Sequence, residues 1–203
     1  MTESLSIDLQ TRARGRRTLL VVAGLFFLPL IISFALYYGG LWRPAGMSNH
    51  GVLLEPPRAL TSTTLTNLDD GSTVASESWL RGKWSLVYLG DGACTADCRE
   101  TLAFGRQVRL TLNQEMTRVQ RVLVTTGGVA DMDFVRREHD GLLAGGVDAA
   151  TTDWLAQFPA DDRARSLFIV DPLGNLMMRY DTRQAPKGLQ ADLKKLLKLS
   201  HIG

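Results

Sequence analysis

Gly82-Lys-Trp-Ser-Leu-Val-Tyr-Leu-Gly90 runs directly into Asp91-Gly-Ala-Cys94-Thr-Ala-Asp-Cys98, the only two cysteines of the 203-residue chain. An apolar stretch of this length between two glycines reads as a buried strand. The segment after it carries a helical apolar face through Val108 and Leu112 and meets no proline, so a helix is expected from the cysteines to about Met116. Both cysteines therefore fall where a buried strand turns into a helix.

The pattern extends in both directions. Towards the C-terminus, Val119–Thr125 is a second apolar strand, and Asp133–Leu142 and Thr152–Phe158 read as short helices. Ser166–Asp171 and Asn175–Tyr180 are strands at hairpin spacing around Pro172-Leu-Gly174. Gly188–Ser200 is amphipathic, with Leu189, Leu193, Leu196 and Leu197 on one side and Lys194, Lys195 and Lys198 on the other. Towards the N-terminus, Asp69-Asp70-Gly71 marks a turn between short strands. Residues 39–59 contain Gly39-Gly40, Pro44 and Pro56-Pro57 and read as a linker that becomes extended near Gly51. Strands alternating with helices predict an α/β domain over 60–203, a mixed sheet flanked by helices.

Thr18–Tyr38 contains no charge and is long enough to cross a hydrocarbon core of about 30 Å as a single transmembrane helix. Residues 1–17 form a basic tail, with Arg12, Arg14, Arg16 and Arg17 against Glu3 and Asp8; only Arg43 follows closely. The positive-inside tendency then keeps the tail cytoplasmic and sends the α/β domain to the outer, periplasmic side of the inner (plasma) membrane. Trp42, with Tyr37 and Tyr38, stands where interfacial aromatics are expected. A cleavable signal would have a shorter apolar core, and Ala45-Gly46 is where a peptidase would cut. Beyond the tail, basic and acidic residues balance, 19 of each. A nucleic-acid partner needs a basic surface stripe, so that class is set aside.

Cys94 and Cys98 at i and i+4 would lie one turn apart on a helix face. Unpaired N–H groups and the dipole at the helix start favour a thiolate, which makes Cys94 the expected nucleophile and Cys98 the resolving residue. Asp91 and Asp97 oppose this, and Arg99 partly offsets them. Such a pair can exchange with other disulfides, hold a soft metal such as Cu(I), or close a static bridge.

These residues together resemble the Sco/SenC family. The resemblance rests on Gly82–Gly90, Cys94-Thr-Ala-Asp-Cys98, the strand 118–126 and the late pair Leu167–Tyr180, behind a single anchor. It implies a thioredoxin-like fold and, as partners, cytochrome c oxidase subunits or assembly proteins, with thiol–disulfide chemistry or Cu(I) at the pair. Two departures stand out. The family's proline after the second cysteine is replaced by Arg99, and its copper-ligand histidine falls at about Arg163, which stays protonated and cannot ligate. A scaffold of oxidase assembly with a structural disulfide is therefore the alternative, and a general thiol–disulfide exchanger a third.

His139 belongs on a helix surface and His50 in a turn, with a substitute copper-ligand role as the sharp alternative for each. One of Met177 and Met178 packs inward, and Trp79, Trp84 and Trp154 pack core and helix–sheet contacts. Asp161-Asp162-Arg163 reads as a solvated loop; the resemblance places it facing the cysteine pair, with partner recognition as the alternative. Neither the layout of a single attacking cysteine nor a two-residue CxxC spacer is present, and serine-nucleophile, carboxylate-pair and phosphate-loop motifs are missing.

Overall fold

The computed structural model describes residues 3–39, 49–126, 132–148, 150–200 and 202. Trp42, Arg43, Ala45-Gly46 and His201 lie outside them. The chain divides into two compact units, 1–47 and 48–203.

In the first unit, helix α1 spans Glu3–Tyr38. Its Arg14–Tyr38 portion is long and apolar enough to cross a membrane, with a mean hydropathy of 2.7 in its most apolar window. Leu25, Phe26 and Phe27 stand exposed along it. Packing in a soluble core does not account for such a surface, whereas acyl chains would cover it.

The second unit is built on one mixed sheet. In chain order its strands are β1 (Val52–Ala59), β2 (Thr64–Asn67), β3 (Thr73–Ala75), β4 (Trp84–Gly90), β5 (Val119–Thr126), β6 (Leu142–Val147), β7 (Ser166–Val170) and β8 (Asn175–Asp181), laid side by side as β1-β8-β7-β4-β5-β6-β2-β3. The β4-β5-β6 centre is parallel and every other pairing antiparallel. Helices α2 (Ser76–Leu80), α3 (Ala96–Leu110), α4 (Met132–Glu138) and α5 (Pro186–Leu199) complete it.

Side-chain alternation along the strands separates two apolar layers. Leu86, Tyr88, Leu123, Ile169 and Tyr180 pack with Leu102 and Val108 of α3 and with Leu189, Leu193 and Leu197 of α5. Val87, Val122, Val124, Phe168 and Leu176 pack on the opposite side with Leu80, Trp154 and Phe158. A bulge in β8 sets Leu176 opposite Val170 but Met178 opposite Ile169. The extra residue reverses the alternation there, and Met178 is the methionine that turns inward. Trp84 and Trp154 are buried, as expected, and Trp79 packs against the second layer.

Several expectations need correction. Helix α3 stops at Leu110 rather than near Met116; Asn113 adopts φ +54° and a 3-10 turn follows over Asn113–Arg118. Asparagine tolerates the left-handed conformation, which ends a helix. Residues 152–157 are 3-10 rather than α-helical. The helix expected over 133–142 ends at Glu138, and Leu142–Val147 is instead strand β6. Its glycines hide it from a propensity reading, yet a β-carbon at Gly145 would stand 2.9 Å from the Trp79 ring. The stretch expected to be extended near Gly51 is an eight-residue edge strand, β1.

The entry to β1 is clamped by a buried carboxylate. Asp192 of α5 accepts hydrogen bonds from the backbone N–H groups of His50 (2.9 Å) and Gly51 (2.8 Å), and its Oδ1 lies 3.3 Å from His50 Nδ1. His50 thus joins a tertiary clamp rather than a simple turn. Asp192→Ala would leave two backbone donors without acceptors, and a loss of about 2 kcal/mol is expected in thermal unfolding. A loss under about 0.5 kcal/mol would show that water replaces the carboxylate freely.

Candidate functional site

Strand β4 ends in a turn that the sequence builds from small and acidic residues. Gly92 takes φ +86°, and Asp91 Oδ1 accepts from the Ala93 N–H at 3.0 Å. Cys94 follows at φ +39°, a left-handed conformation that costs a non-glycine residue on the order of 1 kcal/mol. Thr95 is the N-cap and Ala96 the first helical residue. Only Cys98 is therefore helical, in the first turn of α3. The expectation of both cysteines on one helix face is corrected, because the chain must reverse sharply between β4 and α3.

The two sulfurs are joined in a disulfide with Cα atoms 4.9 Å apart. Cys94 is 6% and Cys98 3% exposed, and both belong to the apolar layer that contains Tyr88. Burial, followed by the negative charges of Asp91 and Asp97, pushes the Tyr88 phenol up to about 12, so it stays protonated at neutral pH.

Arg165 was not foreseen. Its guanidinium contacts Asp97 Oδ1 at 2.5 Å and Glu100 Oε2 at 2.6 Å, tying the 3-10 turn Arg163–Arg165 to the start of α3. The Asp97 charge, which would oppose a thiolate, is thereby balanced. Arg165 lies 68 residues from Asp97 along the chain, so no local pattern announces the pair.

Asp161 and Asp162 are exposed, as expected of a solvated loop. Arg183 bridges Asp162 at 2.5 Å and Asp181 at 2.6 Å beside it. Arg163 turns back and donates to the carbonyl oxygens of Pro159 (3.0 Å), Leu155 (2.9 Å) and Phe158 (2.8 Å). Where a ligand histidine would be expected, this side chain caps the C-terminal carbonyls of the preceding 3-10 turn.

His139 corrects another expectation. It is 3% exposed rather than on a helix surface, sits edge-on to Phe134, and has an Nδ1 without a hydrogen-bond partner. Burial, then the charges of Arg121 and Arg106, lower its pKa to about 4. Among the described residues no three or more His, Cys, Asp or Glu side chains converge as a metal site. Among the described residues the donor set for copper thus stops at the two sulfurs, which the disulfide joins.

A mixed sheet with helices on it and a closed Cys-x-x-x-Cys pair at the end of a central strand defines a thioredoxin-like fold. The chain belongs to the family described as transmembrane-like, thioredoxin-like, C-terminal domain, whose family model matches residues 84–200. Solved structures of similar fold include copper-bound Sco1 from yeast, 18% identical with a TM-score of 0.60, over 70% of this chain and 94% of that one. Apo Sco1 from Thermus thermophilus is 20% identical with a TM-score of 0.60, over 75% and 99%. BsSco, described as a member of the Sco family of cytochrome c oxidase assembly proteins with a disulfide switch, is 16% identical with a TM-score of 0.54, over 71% and 96%. The Sco/SenC likeness seen in the sequence is therefore present in three dimensions, as a likeness of fold. No curated protein matches the sequence.

Proposed function

We propose that this is a membrane-anchored thiol–disulfide exchange protein acting in assembly of the copper site of cytochrome c oxidase. The basic tail would be cytoplasmic and the α/β domain periplasmic. The observation that carries the reading is the Cys94–Cys98 bridge at the β4–α3 turn, with Arg165 balancing Asp97 beside it. The Sco fold supports the choice of partner. Copper would enter as cargo of the assembly pathway, and among the described residues no third ligand joins the two sulfurs.

In the dithiol form, the Cys94 thiolate attacks one sulfur of a partner disulfide. A mixed disulfide forms and one partner thiolate leaves. The Cys98 thiolate then attacks Cys94 Sγ, closing the internal bridge and releasing the second partner thiolate. The partner gains two electrons and this protein loses them; running backwards, the same steps oxidise a partner dithiol.

The test uses the full chain in detergent micelles. Its bridge should equilibrate with a glutathione buffer, read by alkylation of the freed thiols, and Cys94→Ser should abolish exchange with a dithiol peptide. In cells, Cys94→Ser with Cys98→Ser should reduce the oxidase copper-site absorbance. An unchanged oxidase in that strain would sink the reading.

The burial of both cysteines favours a second reading, a scaffold with a structural bridge. It requires a bridge that resists reduction until the domain unfolds. The double serine variant would then cost about 2 kcal/mol, from the short loop that is released, with no loss of oxidase.

A further inference from the structure

The two cysteines of the bridge are held to the domain in different ways. Cys98 sits in the first turn of α3 between Asp97 and Glu100, and Arg165 grips both carboxylates, at 2.5 Å and 2.6 Å. The next residue, Thr101, is fully buried and donates from Oγ1 to the Ala164 carbonyl oxygen at 3.2 Å. Arg165 is itself fixed, because its carbonyl oxygen accepts from the N–H (2.8 Å) and the hydroxyl (3.0 Å) of Thr182, just beyond β8. The start of α3 is thus fastened at residues 97, 100 and 101 to a segment that the exit of β8 holds from its other side.

Cys94 has no such fastening. Among the described residues, the hydrogen bonds of the 91–95 turn stay inside it or pass to the helix it begins: Ala93 N–H to Asp91, and Arg99 N–H to the Thr95 carbonyl oxygen. Asp91, Ala93 and Thr95 are exposed, while Gly92 and Cys94 both adopt positive φ. A left-handed cysteine is costly, so opening the bridge lets this turn relax. Cys94 is 6% exposed in the closed bridge, and a partner sulfur reaches it only when the turn swings outward. One sulfur therefore travels and the other stays.

We propose that Arg165 is a positioning residue for bridge closure: it fixes Cys98 against the domain, so that this sulfur is in place when the turn returns with Cys94 joined to a partner. The inference rests on the exchange function proposed above and assigns a division of labour within it. The closing attack is intramolecular, and its rate depends on how firmly the attacking group is held within reach. Arg165 could also act through its charge, by favouring thiolates, and the two actions part in the test.

The experiment oxidises the reduced full chain, in neutral detergent, with glutathione disulfide; samples are quenched in acid and read by mass spectrometry. Cys94 attacks the glutathione disulfide, forming a mixed disulfide and releasing one glutathione thiolate. Cys98 then attacks Cys94 Sγ and releases the second, so two electrons pass from the chain to glutathione. Cys98→Ser stops at the mixed disulfide and fixes its signal. In Arg165→Gln the mixed disulfide should close about fivefold more slowly than in the parent, at the upper end of what ion pairs at partly exposed sites sustain. Asp97→Ala with Glu100→Ala cuts the same tie from the other end. It should slow closure alike, although its change of charge is opposite. Closure at the parent rate in either variant overturns the proposal, as do opposite shifts, which would assign Arg165 a purely electrostatic role. A Cys98→Ser chain that takes up no glutathione overturns the exchange function itself, and the proposal with it.

Discussion

Arg163→Ala is expected to destabilise the α/β domain by about 3 kcal/mol in urea unfolding, with an unchanged dependence on denaturant. The guanidinium makes three hydrogen bonds to backbone carbonyls, those of Leu155, Phe158 and Pro159. Bonds to a charged group contribute roughly 1.5–3 kcal/mol each when buried, and at this partly exposed side chain about 1 kcal/mol each is expected, the value of an ordinary intramolecular bond. Alanine would free the end of the 152–157 turn, which carries Trp154 and Leu155 into the second apolar layer. Trp154 also donates to the Thr61 carbonyl oxygen at 2.7 Å, so loosening should spread to the chain before β2. A loss below about 1 kcal/mol would mean that water replaces the guanidinium at those carbonyls. The experiment also bears on function: a residue that holds the fold together is not free to serve a ligand.

Acidification should produce the second large effect. The pKa of His139 is lowered to about 4 in the folded chain, against about 6.5 when unfolded. Above pH 6.5 the ring is neutral in both states and its contribution to stability is complete. As the pH falls from 6.5 to 4, the unfolded chain takes up the proton first, so stability declines by about 3 kcal/mol. Below 4 the contribution is gone. Asp70, Asp148 and Asp181 are held below the usual carboxylate range by hydrogen bonds from Ser72, Thr151 and Arg183 respectively. Their own losses therefore fall at lower pH and leave the window to histidine. The check compares chemical denaturation of the parent and His139→Gln at pH 7 and pH 4.5. The parent should lose more than the variant, by about 2 kcal/mol or more, and equal losses would place the acid sensitivity elsewhere.

Elements whose apolar pattern is continuous or periodic were legible from sequence. Strands β4 and β7 are buried along all or nearly all of their length and show it; β8 and α5 show the period-two and helical patterns respectively. Strand β6 was not legible, because Gly145 answers to the space left by Trp79 and Leu65 rather than to strand propensity. The cysteine pair and its place at a strand–helix junction were readable, but the left-handed Cys94 ahead of the helix was not. Tertiary pairs were out of reach altogether. Nothing near Arg165 names Asp97, and the residue just beyond α4 becomes buried only because Phe134 and the Arg121 side of the sheet close over it.

The two rims of the sheet bear on how this domain can meet other molecules. On one rim, the pairing of β1 to β8 shifts between Leu53 and Arg58, and Pro56 and Pro57 in that interval have no N–H to offer. On the other, β3 is three residues long and passes straight into α2. Neither rim provides the row of consecutive donors and acceptors that an added strand needs. Copies of the domain are thus kept from zipping into ribbons, and recognition is left to loops and helix surfaces, among them the turn that carries Cys94.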